Sequence, residues 1–382
     1  MIVKLTVEKG KDSFRILWYT GGIQRHNGKR CEKVTRAKRV LRVIGIILAV
    51  VAVLFVILLV FLTVAEYRPQ PVEEVAVTGT SGAPIDGHVR VLTFNIGYAG
   101  LGKDQDFFMD GGGMVRPDSK ADVEKNLSGI GSTLAGHPAD VVFIQEADVG
   151  SHRSYYLDEA GYLADLTGKN AAFAYNYKAA FVPYPIPMIG KVEGGLLTLT
   201  DYGVESASRV ALPVPFKWPV STCNLKRCLL VCRVPYGGHE LVLVNLHLEA
   251  YDGGEGKTAQ TNMLMDFLTE EYEKGNYVIA GGDFNQTFPD IGGYPVVDAE
   301  NWMPGVLSAD MLPGGWQFAV DASSPTCRLL SGPYTGNREQ TQLYVIDSFI
   351  LSPNVALNSV HTLDLDFEYA DHNPVMLDVE LQ

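Results

Sequence analysis

Residues 276–287 read NYVIAGGDFNQT. The apolar run Tyr277-Val278-Ile279-Ala280 breaks into Gly281-Gly282 and then delivers Asp283 and Asn285. A short apolar run bounded by glycine is the pattern of a buried strand, and alternate side chains leaving its end share a face. Asp283 and Asn285 are therefore expected side by side. The two glycines let the backbone turn and a ligand come close, a freedom that a purely structural aspartate does not require. Taken alone, the segment reads equally well as an Asx turn closing a strand. It decides the fold because the pattern recurs along the chain.

The run HVRVLTF (88–94) delivers Asn95, and DVVFIQ (140–145) ends in Glu146. ELVLVNLHL (240–248) carries His247 among apolar residues, and QLYVI (342–346) ends in Asp347. YADHNP (369–374) sets Asp371 and His372 just before the closing strand PVMLDV (374–379). Singly, each has an ordinary explanation: Glu146 in an internal salt bridge, His247 as a satisfied core histidine. Together they form a set. Acids and amide oxygens without a cysteine cluster suit a hard, oxygen-liking cation, Mg²⁺ before Zn²⁺. Two histidines with carboxylates able to fix their tautomers suit acid-base work near neutral pH. The combination fits metal-assisted hydrolysis of a phosphate ester. No G-x-S-x-G or G-x-x-x-x-G-K-[ST] occurs, which disfavours serine hydrolases, kinases and P-loop enzymes.

Helical spacing covers about 120–135, 155–166 and 257–274, while 288–341 is long and irregular. There is no internal repeat. With 382 residues, 47% of them hydrophobic and 20% charged, the chain can bury a large core and is not disordered. The net charge of −13 is unevenly spread. Residues 1–42 hold twelve Lys/Arg against three Asp/Glu, or +9, which leaves −22 for the rest.

Residues 43–64, VIGIILAVVAVLFVILLVFLTV, carry no charge. At a rise of about 1.5 Å per residue they span roughly 33 Å, enough for a bilayer core of about 30 Å. A transmembrane helix over 43–65 is expected, with a cleaved signal peptide as the rival reading, since Thr63-Val64-Ala65 resembles a cleavage site. The apolar run exceeds the usual signal core of about 7 to 15 residues. Seven Lys/Arg crowd residues 29–42, whereas only Arg68 follows closely, so the basic segment 1–42 is expected inside and the large domain outside. The N-terminal residues 1–28 show an alternating stretch over 1–8 and nothing that assigns them a function. Residues 66–86 mix Pro, Gly, Ser, Thr and acids without periodicity and read as an extended linker. Residues 87–382 then form one domain.

That domain has four cysteines in a compartment that permits disulfides. Cys223 and Cys228 flank four residues between two strand-like runs, a spacing suited to a cross-strand bridge and favoured here over a metal site. The segment FVPYPIPMI (181–189) is apolar, yet its alternate prolines bar it from a central strand. Packing beneath other loops is the expected fate, since large exposed apolar patches are uncommon. If exposed, it is a lip beside the site with Tyr184 suited to a lipid interface, which favours a lipid phosphodiester.

The ordered motifs TFNIG, FIQEAD, NLHLEA, GGDFNQT, YVIDSFI and ADHNPV resemble the endonuclease/exonuclease/phosphatase superfamily over about 87–382. That superfamily includes deoxyribonuclease I-like nucleases, inositol-polyphosphate 5-phosphatases and neutral sphingomyelinases. The resemblance implies an α/β fold, a four-layer α/β/β/α sandwich of two mainly antiparallel sheets with the site at one end. It implies Glu146 as the principal ligand of Mg²⁺, or of Mn²⁺ in its place, with Asn95 and Asp371. Asp283 would position or deprotonate water, Asn285 hold a phosphate oxygen, His247 stabilise the pentacovalent phosphate, and His372, oriented by Asp347, complete the acid-base pair. One departure stands out: Thr200-Asp201 replaces the family's usual serine-arginine. A domain of charge −22 disfavours nucleic acid, which clustered Lys/Arg normally bind. A surface-exposed nuclease is the second reading and a non-catalytic tethered binding module the third.

Overall fold

The computed structural model describes residues 26–80 and 82–382, with side chains from residue 35 onward. Most of the basic segment 1–42, including the alternating stretch 1–8, lies outside the described residues. The chain divides into two compact units, residues 1–60 and 61–382.

Helix α1 (His26–Val64) fills the described part of the first unit and runs four residues into the second. It starts well before residue 43 and so takes in the basic stretch as well. Within it, Thr35–Val64 is long and apolar enough to cross a membrane, its most apolar eighteen residues reaching a mean hydropathy of 3.6 with none of them buried. An all-round apolar helix without protein cover needs lipid or removal. It fits a single-pass anchor and also a signal sequence.

The second unit is built on two seven-stranded sheets. One contains β1 (Val72–Glu74), and the other β2 (Val77–Thr78) and β3 (His88–Asn95). Next in the chain come β4 (Val141–Asp148), β5 (Asn170–Val182) and β6 (Gly190–Thr200). They are followed by β7 (Ser206–Ala211), β8 (Cys228–Tyr236), β9 (His239–His247) and β10 (Tyr277–Asp283). β11 (Gln286–Thr287) and β12 (Gly305–Val306) form a small ribbon, as do β14 (Cys327–Arg328) and β15 (Leu343–Tyr344). β13 (Gln317–Ala319), β16 (Asp347–Leu351), β17 (Val355–Thr362) and β18 (Val375–Leu381) complete the set. The first sheet has the order β1-β7-β8-β9-β10-β16-β13 and the second β17-β18-β3-β4-β6-β5-β2. Only β3 with β4 and β9 with β10 pair in parallel within these sheets.

Period-two alternation explains the layers. Val89, Val91, Val141 and Phe143 face Leu241, Leu243, Ile279 and Phe349 between the sheets. Their neighbours Leu92, Phe94, Val142 and Ile144 point outward onto α2 (Lys120–Gly136) and α3 (Glu159–Thr167). Val242, Val244, Val278 and Ala280 point outward onto α4 (Glu255–Glu273) through Leu264 and Leu268. The result is the four-layer α/β/β/α sandwich. α2 starts at a capping box, Ser119 and Asp122 satisfying each other's backbone N–H, and buries Val123, Leu127, Ile130 and Leu134 along one face.

Several details differ from the sequence reading. Residues 66–80 are extended but docked: β1 pairs with β7, and β2 with β5, so the linker strip hydrogen-bonds to an edge of each sheet. Edge strands need only free backbone donors and acceptors, which a polar, proline-rich strip still supplies. All four described cysteines are free, so the bridge between Cys223 and Cys228 is corrected. Cys223 ends a 3₁₀ turn with Sγ toward the Val220 carbonyl, whereas the Cys228 Sγ opens β8 against the Tyr175 carbonyl. Gly281 and Gly282 do not admit a ligand: a Cβ at Gly281 would strike the Phe349 ring at 2.3 Å, and one at Gly282 the Leu246 carbonyl oxygen at 1.9 Å. They let β10 fit between its neighbours.

Candidate active site

Because β3 and β4 run parallel, their C-terminal ends bring Asn95 and Glu146 to the same edge of one sheet. In the facing sheet, parallel β9 and β10 do the same for His247 and Asp283, which are register partners. Antiparallel β16 begins where β10 ends, so Asp347 is the other register partner of Asp283. Asp347 therefore opens a strand rather than closing one. Asn95, His247, Asp283 and Asp347 continue the inward-facing alternation of their strands, so all four project between the sheets. Asp371 and His372 arrive from the turn before β18.

Hydrogen bonds and charge contacts within 4 Å link the eight residues. Asn95 Nδ2 donates to Glu146 Oε1 at 3.3 Å and to Asp283 Oδ2 at 3.0 Å. Asn95 Oδ1 accepts from the Gly97 N–H at 3.0 Å. Asp283 Oδ1 accepts from the Asn285 N–H at 2.8 Å, and the Asn285 amide donates to the Leu248 carbonyl at 2.9 Å. Two imidazoles converge on Asp283 Oδ2, His247 Nε2 at 3.4 Å and His372 Nε2 at 3.8 Å. Behind them Asp347 Oδ2 holds His372 Nδ1 at 2.8 Å, and Asp371 Oδ2 lies 3.8 Å from His372 Nε2. Glu146 and Asn285 adopt left-handed backbone, φ 55° and 50°, where a residue with a Cβ is disfavoured. Glu146 sits at the irregularity between Ile144 and Ala147 in the pairing of β4 with β6, which turns its side chain out of the alternation.

Burial and neighbouring charge set the protonation of these groups. Burial, then the Asp347 charge, pushes Asp283 up to about 7, although His372 and hydrogen bonds from Asn285 and Asn95 oppose this. Burial also pushes Asp371 up to about 7, with Glu146 adding to the effect. The histidines divide. Burial and the nearby Arg227, His372 and Arg153 hold His247 well below the usual imidazole range. For His372, burial opposes the charge, but Asp347, Cys327 and Asp371 outweigh it and hold the ring protonated well above that range.

Crowded carboxylates of this kind fit a cation. Asp347 Oδ1 and Asp371 Oδ1 are buried without a hydrogen-bond partner. Donor atoms of Asp283, Asp347 and His372 lie within 4.8 Å of one another, as do those of Cys327, Asp371 and His372. Glu146 and Asn95 belong to neither group.

Glu146, Asp283, Asn285, His247, Asp371 and His372 line a cavity of about 540 Å³. Asn95 and Asp347 stand behind these side chains. The sequence reading missed other residues in its walls. Arg153 is bidentate to Asp148 at 3.0 Å and stacks 3.9 Å from the Tyr98 ring centre. Arg227 bonds Glu249 and the His247 carbonyl. Tyr251 donates to Asp110 at 2.9 Å. Cys327 forms an antiparallel backbone bridge with His372. Arg153, Arg227 and Tyr251 lie in loops outside any spaced motif, and Cys327 opens the two-residue strand β14, so only the fold reveals them. Thr200 pairs with Val141 at the start of β4, so Thr200 and Asp201 lie at the end of the sheet remote from Glu146. The 181–189 segment divides: Val182 is buried at the end of β5, whereas Tyr184 at 68% and Ile186 at 89% are exposed rather than packed beneath other loops.

Residues 92–365 match the model of the Endonuclease/Exonuclease/phosphatase family. Among solved structures, the endonuclease/exonuclease/phosphatase from Beutenbergia cavernae DSM 12333 is similar over 77% of this chain and 72% of its own, at 18% identity and a TM-score of 0.53. A humanized D. rerio TDP2 with 14 mutations is similar over 77% of this chain and 100% of its own, at 14% identity and a TM-score of 0.49. The endonuclease/exonuclease/phosphatase from Bacteroides vulgatus is similar over 77% of this chain and 99% of its own, at 16% identity and a TM-score of 0.49. The sequence matches no curated protein.

Proposed function

Because the chain belongs to the Endonuclease/Exonuclease/phosphatase family, we propose that it is a phosphoesterase dependent on a divalent cation, Mg²⁺ or Mn²⁺, and anchored in a membrane by the apolar helix ending at Val64. The observation that carries this reading is the convergence of His247 and His372 on one oxygen of Asp283, with Asp347 bound to the far side of His372.

Each side chain then has a task. Asp283, pushed up to about 7, is poised to take a proton from water near neutral pH. His372, kept positive beside Asp347, offers Nε2–H to a phosphoryl oxygen or to the departing alkoxide. His247 stays neutral and turns a ring nitrogen toward the same space. Asn285 gives one amide N–H to Leu248 and has a second for a phosphate oxygen. Glu146 and Asp371 would hold the cation, and Asn95 keeps Glu146 and Asp283 apart and oriented. The cation would supply Lewis-acid polarisation of the phosphoryl group and neutralise the leaving oxygen. The orphaned Asp371 Oδ1 supports that ligand role.

In this reading the N-terminus lies on the cytoplasmic side and the domain outside, an orientation supported by the excess of basic residues over 29–42. Purified full-length chain should release phosphate or alcohol from members of a lipid, nucleotide and polynucleotide ester panel. EDTA should abolish the release and Mg²⁺ restore it. Absence of any metal-dependent hydrolysis across the panel would remove the reading.

A further inference from the structure

The cavity is lined by the polar site residues with Arg153, Arg227 and Tyr251, and by an apolar wall formed by the loop that carries Phe107 and Phe108, by Val182 and Ile189, and by Phe216 and Val220. Beyond this wall the apolar surface continues into solvent. Ile186 is 89% accessible, Met188 46%, Trp218 60% and Val220 52%. Two separate chain segments, 183–189 and 216–220, thus raise large apolar side chains around one mouth. The Phe108 and Tyr184 rings meet edge-on at 5.9 Å, which ties the first segment to the cavity wall. Apolar surface of this kind is rare on soluble domains and marks a contact face.

A second observation identifies what covers it. The last residues of the apolar run, 61–64, belong to the same compact unit as the site. Trp218 Nε1 donates to Thr63 Oγ1 at 3.0 Å. Immediately beyond, Lys226 Nζ donates to Glu66 Oε1 at 3.0 Å and to the Ser221 carbonyl at 2.6 Å, both charged side chains being nearly buried. The chain therefore leaves its apolar run on the rim of the cavity, next to the exposed collar. If 43–64 spans a bilayer, covalent continuity brings the lipid surface to Thr63 and hence to Trp218. Indole suits that depth, with an apolar body and a polar N–H.

We propose that the collar around Ile186, Met188 and Trp218 seats on the bilayer holding the anchor, and that the substrate is a phosphate ester of a membrane lipid entering the cavity from that surface. This rests on the phosphoesterase and anchor readings above. The apolar wall takes the lipid-side portion, and the polar site residues receive the phosphate. In the reaction a water oxygen bonds to phosphorus as one phosphorus–oxygen ester bond breaks. The proton lost by water is matched by one gained on the departing oxygen, so a diester yields a phosphomonoester and an alcohol.

The test uses full-length chain reconstituted into vesicles of phosphatidylcholine, phosphatidylglycerol and sphingomyelin, with Mg²⁺. Hydrolysis of vesicle lipid is compared with that of soluble bis(p-nitrophenyl) phosphate. Ile186→Ser with Met188→Ser should lower lipid hydrolysis about tenfold, from the apolar area withheld from the bilayer, and leave the soluble ester unaffected. Brominated lipids should quench the fluorescence of wild type more than that of Trp218→Phe. Equal effects on both esters, hydrolysis of the soluble ester alone, or identical quenching of the two proteins would overturn the proposal. If wild type hydrolyses neither ester, the phosphoesterase reading fails, while the quenching comparison still decides whether this face meets the bilayer.

Discussion

His372 Nδ1 and Asp347 Oδ2 lie 2.8 Å apart in a site where both side chains are almost wholly buried. The carboxylate fixes which ring nitrogen faces the cavity and holds the imidazole protonated against its own burial. Asp347→Asn keeps the shape but removes the charge. We expect kcat to fall about 10²-fold, within the range typical of acid-base groups, with little change in KM. The limb of the pH profile that reports loss of the His372 proton should move to lower pH. An unchanged profile would separate Asp347 from His372 in function.

Asp371 gives a stability prediction of definite sign. Its folded-state value of about 7 exceeds the ordinary 3.8, so the folded, metal-free protein favours the protonated form. The stability linked to this group is fully present below about pH 4 and is lost as pH rises toward 7. In EDTA, Asp371→Asn should match wild type at pH 4 and be more stable at pH 8, by on the order of 4 kcal/mol. Mg²⁺ should erase that advantage by stabilising wild type alone. Urea unfolding at both pH values, with and without Mg²⁺, checks this.

Beneath the site a polar bridge crosses between the sheets. Gln145 Nε2 donates to Asn245 Oδ1 at 2.8 Å, and Asn245 Nδ2 donates to the Leu197 carbonyl at 3.0 Å. Asn245→Leu takes one bond from each of these buried partners, although Gln145 Nε2 keeps Thr93 Oγ1 at 3.1 Å, and should destabilise the domain by about 2 kcal/mol, in line with the cost of orphaned polar groups. The denaturation midpoint should fall, with the slope unchanged.

Much of this site is legible in the sequence for a geometric reason. Strand alternation and parallel pairing carry Asn95, His247 and Asp283 to one end, and pairing alone carries Glu146 there, so polar residues that break apolar runs mark the place. The signal weakens where position depends on pairing partners. Asp347 looks like the end of 342–346 but begins β16, because only the antiparallel register with β10 defines that strand. β1 and β2 lie in a strip without alternation, since their pairing uses backbone groups alone. Gly281 and Gly282 look like ligand-side glycines until Phe349 and Leu246 appear on either side. Arg153, Arg227 and Tyr251 come from loops, where no period connects a residue to its place.

Topology yields a fourth expectation. If the helix remains as an anchor with the basic stretch inside, protease added to intact cells should remove the domain after Ala65. Protection from protease, or a mature chain starting near Glu66 in the medium, would contradict an outside, anchored domain.

The central claim is that Asp283 and its two histidines carry out metal-assisted phosphoester hydrolysis, and one assay addresses it most directly. Initial rates on a phosphodiester are measured for wild type and Asp283→Ala, each with Mg²⁺ and with EDTA, after circular dichroism shows equal folding. The account predicts a Mg²⁺-dependent rate in wild type that drops by on the order of 10² or more in Asp283→Ala. A folded Asp283→Ala protein that hydrolyses the ester at the wild-type rate would contradict it.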